Sequence, residues 1–139
     1  MRRALLLALG AIVLGGCAGA GTQAPVGVQP QALQLPYVYR GSLEIEGNRV
    51  SSTLRIQQTG AALTSRLTSV DLGMDAAGIG SVNGSEVDFM MAYGAACRGT
   101  ARLVGRIAET TFDYTGRINA SDCTGEAEGS FTFSPEPPR

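Results

Sequence analysis

The chain has 139 residues, 44% of them apolar and 17% charged, with 11 basic groups against 12 acidic ones. That is enough for one domain, and the absence of histidine excludes Ser-His-Asp and Cys-His catalysis and every imidazole-ligated metal site. Every basic residue is an arginine, and the near-even balance lacks the basic excess of a nucleic-acid binder.

Arg2 and Arg3 precede an apolar run from Leu5 to Leu14. This is shorter than the roughly 20 residues that cross a bilayer and reads as a secretory signal. Its end, Leu14-Gly15-Gly16-Cys17, resembles the lipobox of bacterial lipoproteins. The resemblance implies diacylglycerol on the Cys17 sulfur, cleavage that removes residues 1–16 as a signal peptide, and fatty acylation (palmitate-type) of the new N-terminus. In the Gram-negative sorting rule Ala18, standing where an Asp would retain the protein at the inner membrane, implies the outer membrane. Each buried acyl CH₂ contributes about 0.8 kcal/mol, so several chains tether the protein lastingly. Processing removes two arginines and leaves Cys97 and Cys123 as the remaining cysteines, which can pair in only one way in an oxidising compartment.

Residues 17–36 carry no charge and three prolines (Pro25, Pro30 and Pro36), the composition of a semi-extended linker. From Tyr37 to Ser134 no helical period occurs, and alternation with turn signals every 8–12 residues indicates an all-β barrel or sandwich. Tyr39, Gly41, Leu43 and Ile45 alternate with polar residues up to Gly47-Asn48, which fits a hairpin turn. Val50, Ser52, Leu54 and Ile56 follow, and that turn would set Ile45 opposite Val50, Gly41 opposite Leu54, and Glu46 opposite Arg49. Thr59-Gly60 would set Ile56 opposite Leu63. An irregular stretch, Val70–Asp75, precedes a fourth strand, Ala76–Val82, and the Asn83-Gly84 turn.

Val87, Phe89, Met91 and Tyr93 share one face of a fifth strand, with Gly78 and Gly80 expected opposite these large side chains. Gly99, Ala101, Leu103, Gly105 and Ile107 share one face of a sixth, and Arg98, Arg102 and Arg106 the other. Phe112, Tyr114, Gly116 and Ile118 define a seventh. Pairing Ile107 with Phe112 would place Arg106 opposite Asp113, and Cys97 opposite Asp122 beside Cys123. Ala127, Gly129, Phe131 and Phe133 define an eighth, and Pro135–Arg139 is expected to fray. Eight strands with short links predict an antiparallel up-and-down β-barrel over 37–134, the alternative being a two-sheet sandwich. The pattern resembles the eight-stranded meander barrels of the avidin and lipocalin type in architecture, without the signature of either family.

Four groups of residues could carry function. Arg98, Arg102, Arg106 and Arg117 could form a patch for an anion; as an outer-face ladder they would pair with Asp113, Glu126 and Glu128 and continue to Arg40 and Glu44. Tyr39, Phe89, Met91, Tyr93 and Tyr114 could wall a cavity for a small apolar ligand, or fill the barrel themselves. Asp71 and Asp75 lack the further ligands of a calcium loop, and every carboxylate falls on an outer face or in a turn, unlike the paired acids of a glycosidase. Cys97 and Cys123 are read as a structural disulfide. The expectation is a non-catalytic envelope lipoprotein without metal or cofactor. It would act as a protein-interaction or inhibitory module, as a carrier of an apolar ligand, or as a structural component. Lipoprotein lysozyme inhibitors and small barrel-shaped peptidase inhibitors resemble this layout, but the chain lacks the tryptophan, the lysine and the early-strand cysteine of those patterns. The irregular Val70–Asp75 segment is the candidate contact loop.

Overall fold

A computed structural model describes residues 31–94 and 96–137. The signal peptide, Cys17 and the first part of the linker lie outside the described residues. Eight strands follow one another: β1 (Val38–Ile45), β2 (Asn48–Thr59), β3 (Ala62–Ser69), β4 (Met74–Asn83), β5 (Glu86–Tyr93), β6 (Gly99–Ile107), β7 (Tyr114–Asp122) and β8 (Gly125–Pro135). Each pairs antiparallel with its neighbour, and β1 closes on β8, so the sheet is a barrel rather than a sandwich. Closure leaves no strand edge unpaired.

The alternation places each side chain on the expected face, but three hairpin registers differ from expectation by two residues. In the first, Ile45 pairs with Asn48 and Leu43 with Val50. The turn residues are Glu46 and Gly47, both at positive φ (51° and 80°), the geometry a two-residue turn needs to follow the strand twist. In the second, Ile56 pairs with Ser65. In the β6–β7 hairpin Ile107 pairs with Tyr114, because Phe112 sits in the connection at φ 60° rather than in a strand. Hydrogen bonds Phe112 N to Ala108 O (2.7 Å) and Ala108 N to Asp113 O (2.9 Å) fix that turn. A slip of two residues preserves inside and outside, which is why the pattern alone does not detect it.

At both ends of the described residues the chain is bonded to the barrel. Gln58 accepts a hydrogen bond from the Leu35 backbone N–H (2.9 Å) and donates to the Leu33 carbonyl (2.8 Å). Ala32, Leu33 and Leu35 thereby pack against the core. At the other terminus Pro135 pairs with Tyr39, and Glu136 N–H donates to Val38 O (2.9 Å).

The interior is graded by size. Toward the end where the chain enters, Tyr39, Leu54, Phe89, Tyr114 and Phe133 are all fully buried. Gly105 pairs with Gly116, and the Phe131 ring occupies the space that a Cβ on either would take. The Tyr114 and Phe131 rings meet at 4.5 Å between centres, inclined by 50°. At the far end Ala101, Ala120 and Ala127 form one row across β6, β7 and β8.

Two buried tyrosines differ in their hydroxyls. Tyr114 donates to the carbonyls of Val87 (3.2 Å) and Leu103 (3.4 Å), whereas the Tyr39 hydroxyl has no partner among the described residues. Burial pushes both phenols well above their ordinary value, so stability is full below about pH 10 and declines as alkali ionises them. An unpaired buried hydroxyl costs about 1–3 kcal/mol and a made bond contributes about 1 kcal/mol. Tyr39→Phe is therefore expected to leave stability unchanged or raise it, and Tyr114→Phe to lower it by about 1 kcal/mol. Urea unfolding midpoints of the two variants check the contrast, and equal losses would contradict it.

Candidate functional site

Strands alternate in direction, so the loops divide between two ends. Chain entry, Gly60-Ala61, Gly84-Ser85 and the Ala108–Asp113 turn lie at one end. There Leu33 and Leu35 cover the aromatic core. The β1–β2, β3–β4, β5–β6 and β7–β8 connections ring the other end, and between them opens a cavity of about 460 Å³.

Its wall is apolar below and acidic above. Ile45, Val50, Met74, Ile118 and the row Ala101–Ala120–Ala127 line it, with Leu72 reaching over from the β3–β4 loop. Glu46, Asp75 and Asp122 are the acidic residues at its rim, the Asp75 carboxylate being turned to Arg66 on the outer wall, and no arginine among the described residues lines it. The volume falls within the range of small-molecule sites, roughly 300–1,000 Å³.

One side of the rim is tightly held. Cys97 and Cys123 are bonded, their Cα atoms 5.6 Å apart, tying the β5–β6 loop to the β7–β8 turn. Tyr93 lies over Gly99, where any Cβ would collide with its ring, and donates its hydroxyl to Asp122 Oδ2 (3.1 Å). Asp122 Oδ1 also accepts from the Thr124 backbone N–H (2.7 Å) and hydroxyl. These bonds hold the Asp122 carboxyl below the usual Asp range, so it is ionised at neutral pH. Asp75 is lowered likewise, by the Arg66 guanidinium that grips both its oxygens. Across the mouth, the β3–β4 turn is closed by Gly73 N–H to Val70 O (3.1 Å) and braced by Ser51 N–H donating to Asp71 (3.2 Å). It presents Val70, 96% exposed, and Leu72, half exposed.

Of the residues expected to wall a cavity, only Tyr93 lines this one. Tyr39, Phe89 and Tyr114 are packed in the closed half, and Met91, paired with Ala101, is buried at the level of the alanine row without lining the cavity. The cavity instead uses the alanine row and Met74, whose signal lay in the register rather than in residue type. The arginine row is on the outer wall as expected, with different partners. Arg102 grips Asp88, and Arg106 reaches Glu86 Oε1 at 2.9 Å, both acids coming from β5. Asp113 accepts from Ser134 and Thr111 instead. Arg40 pairs with Glu136 at 3.2 Å, not with Glu44. Arg98 and Arg117 form no ion pair among the described residues and sit on the wall apart from each other: Arg98 opens on a groove outside the rim, and Arg117 pairs across the ladder with Val104 and Ser130. Such exposed pairs contribute at most about 1 kcal/mol each. The four arginines therefore do not converge.

Asp71 faces Ser51 and Asp75 faces Arg66, so the Asp71–Asp75 pair is turned to protein partners. Cys97, Asp122 and Cys123 approach one another, but both sulfurs are committed to the disulfide. No family model matches the chain, and no curated protein or solved structure is significantly similar to it.

A cross-link closing a span of 26 residues stabilises by about 3–4 kcal/mol in the chain-entropy account. Replacing both cysteines by alanine is expected to lower the unfolding free energy by about 3 kcal/mol while leaving the barrel folded. Denaturant unfolding with far-UV circular dichroism checks both parts.

Proposed function

We propose that this chain is a lipid-anchored, non-catalytic binding module of the cell envelope whose working surface is the open barrel mouth. The observation that carries the reading is the apolar cavity at the end opposite chain entry. In this reading Cys17 bears the lipid and residues 17–30 form the tether, reaching at most roughly 50 Å at about 3.5 Å per residue. The closed, leucine-covered end faces the membrane, and the mouth points away from it, in keeping with a placement at the outer membrane. The mouth takes an apolar group, carried by a small molecule or projecting from a protein partner. Val70 and Leu72 offer a partner contact at its rim.

A non-catalytic role is supported by the state of the carboxylates. Asp122 and Asp75 are held ionised by specific partners, so neither is poised as a proton donor near neutrality. Neither histidine nor lysine exists to take that part.

The neutral dye N-phenyl-1-naphthylamine tests the mouth. The purified chain is expected to bind it with a rise in fluorescence, and Ala120→Phe, which fills the cavity from the centre of the alanine row, is expected to abolish the rise. A response unchanged in Ala120→Phe would remove the mouth from the reading.

A further inference from the structure

The charge at the rim goes further than the cavity itself and deepens the same reading, on which it rests. The wall is apolar, and the residues at its opening include the acidic Glu46, Asp75 and Asp122 and, among the described residues, no basic one. Asp75 is matched by Arg66. Glu46 and Asp122 have no arginine partner among the described residues. The nearby Arg98 lines the outer groove on the β4–β5 side and not the cavity. An apolar chamber with negative charge at its mouth complements a molecule built the opposite way.

We propose that the ligand of the mouth is a small cationic amphiphile, its apolar body against Ile45, Val50, Ile118 and the alanine row and its ammonium group at the rim between Glu46 and Asp122. Three features of the site support it. Glu46 sits in the two-residue β1–β2 turn, at the edge of the opening. Asp122 is oriented by Thr124 and Tyr93, so its charge is held in place before any ligand arrives. The disulfide fixes the turn on which Thr124 sits. An anionic amphiphile such as a fatty acid would bring its carboxylate against these acids without a counter-charge.

Three probes with one tail separate the possibilities: octylammonium, 1-octanol and octanoate, titrated calorimetrically into the purified chain at low salt. Octylammonium is expected to bind about fivefold more tightly than octanol, the equivalent of one favourable exposed charge contact, with octanoate weakest. The preference should shrink in Glu46→Gln, which lies in an exposed turn and leaves the core untouched, and in 0.5 M NaCl. Asp122→Asn should shrink it further. Equal binding of octylammonium and octanol would overturn the cationic assignment and leave the mouth reading standing. Binding of none of the three would overturn both.

Discussion

The register of β6 against β7 and β8 determines what the barrel can do. It pairs Gly105 with Gly116, Leu103 with Ile118, and Ala101 with Ala120, which in turn faces Ala127. Residues of like size thus lie side by side across β6 and β7, whereas across β7 and β8 Gly116 faces Phe131 and Ile118 faces Gly129. The glycine layer makes room for Phe131, so that level is full. The alanine layer leaves space at its own level, and that space is the mouth. With β6 slipped by two residues, Ala101 would face Ile118 and Leu103 would face Gly116. Every side chain would keep its face, but the alanine row would be broken. The connection that prevents the slip is the Ala108–Asp113 turn, in which Phe112 adopts a backbone conformation uncommon for an aromatic residue.

The two ends then acquire different work. At the end of chain entry, aromatic rings meet over glycines and the segment before β1 lays Leu33 and Leu35 on top. Gln58 makes this lid possible by answering both a backbone donor and a backbone acceptor of an otherwise irregular segment. The cavity lies at the other end.

The sequence discloses this division only in part. Alternation reports the face of each side chain, and on that count all eight strands, their order and their closure were legible in the residues. Register is a different quantity, because it depends on which residue of a turn takes positive φ. Gly47 is visible as a turn residue, but Glu46 carries no mark that it, rather than Asn48, is the second member. Phe112 continues the apolar alternation of β7 and still belongs to the turn. Large residues such as Phe89, Met91 and Tyr114 can wall a cavity or fill a barrel; here they are buried, and the space lies where three alanines share a row. The ion pairs failed for the same reason, since Arg102 and Arg106 meet Asp88 and Glu86 across β5 rather than acids on β7. One missed signal was present: Ala32-Leu33-Gln34-Leu35 alternates inside a supposedly featureless linker.

An open mouth has a structural consequence that the disulfide answers. Burying an apolar side chain yields about 25 cal/mol per Å², so an alanine or glycine wall contributes far less than the aromatic half. The mouth half would be the first part of the barrel to open if packing alone held it. The disulfide and several polar bonds tie it. Cys97–Cys123, Tyr93–Asp122 and Asp122–Thr124 all lie on one side of the rim, and the Ser51–Asp71 bond braces the loop that carries Leu72. These ties stiffen the rim without occupying the cavity.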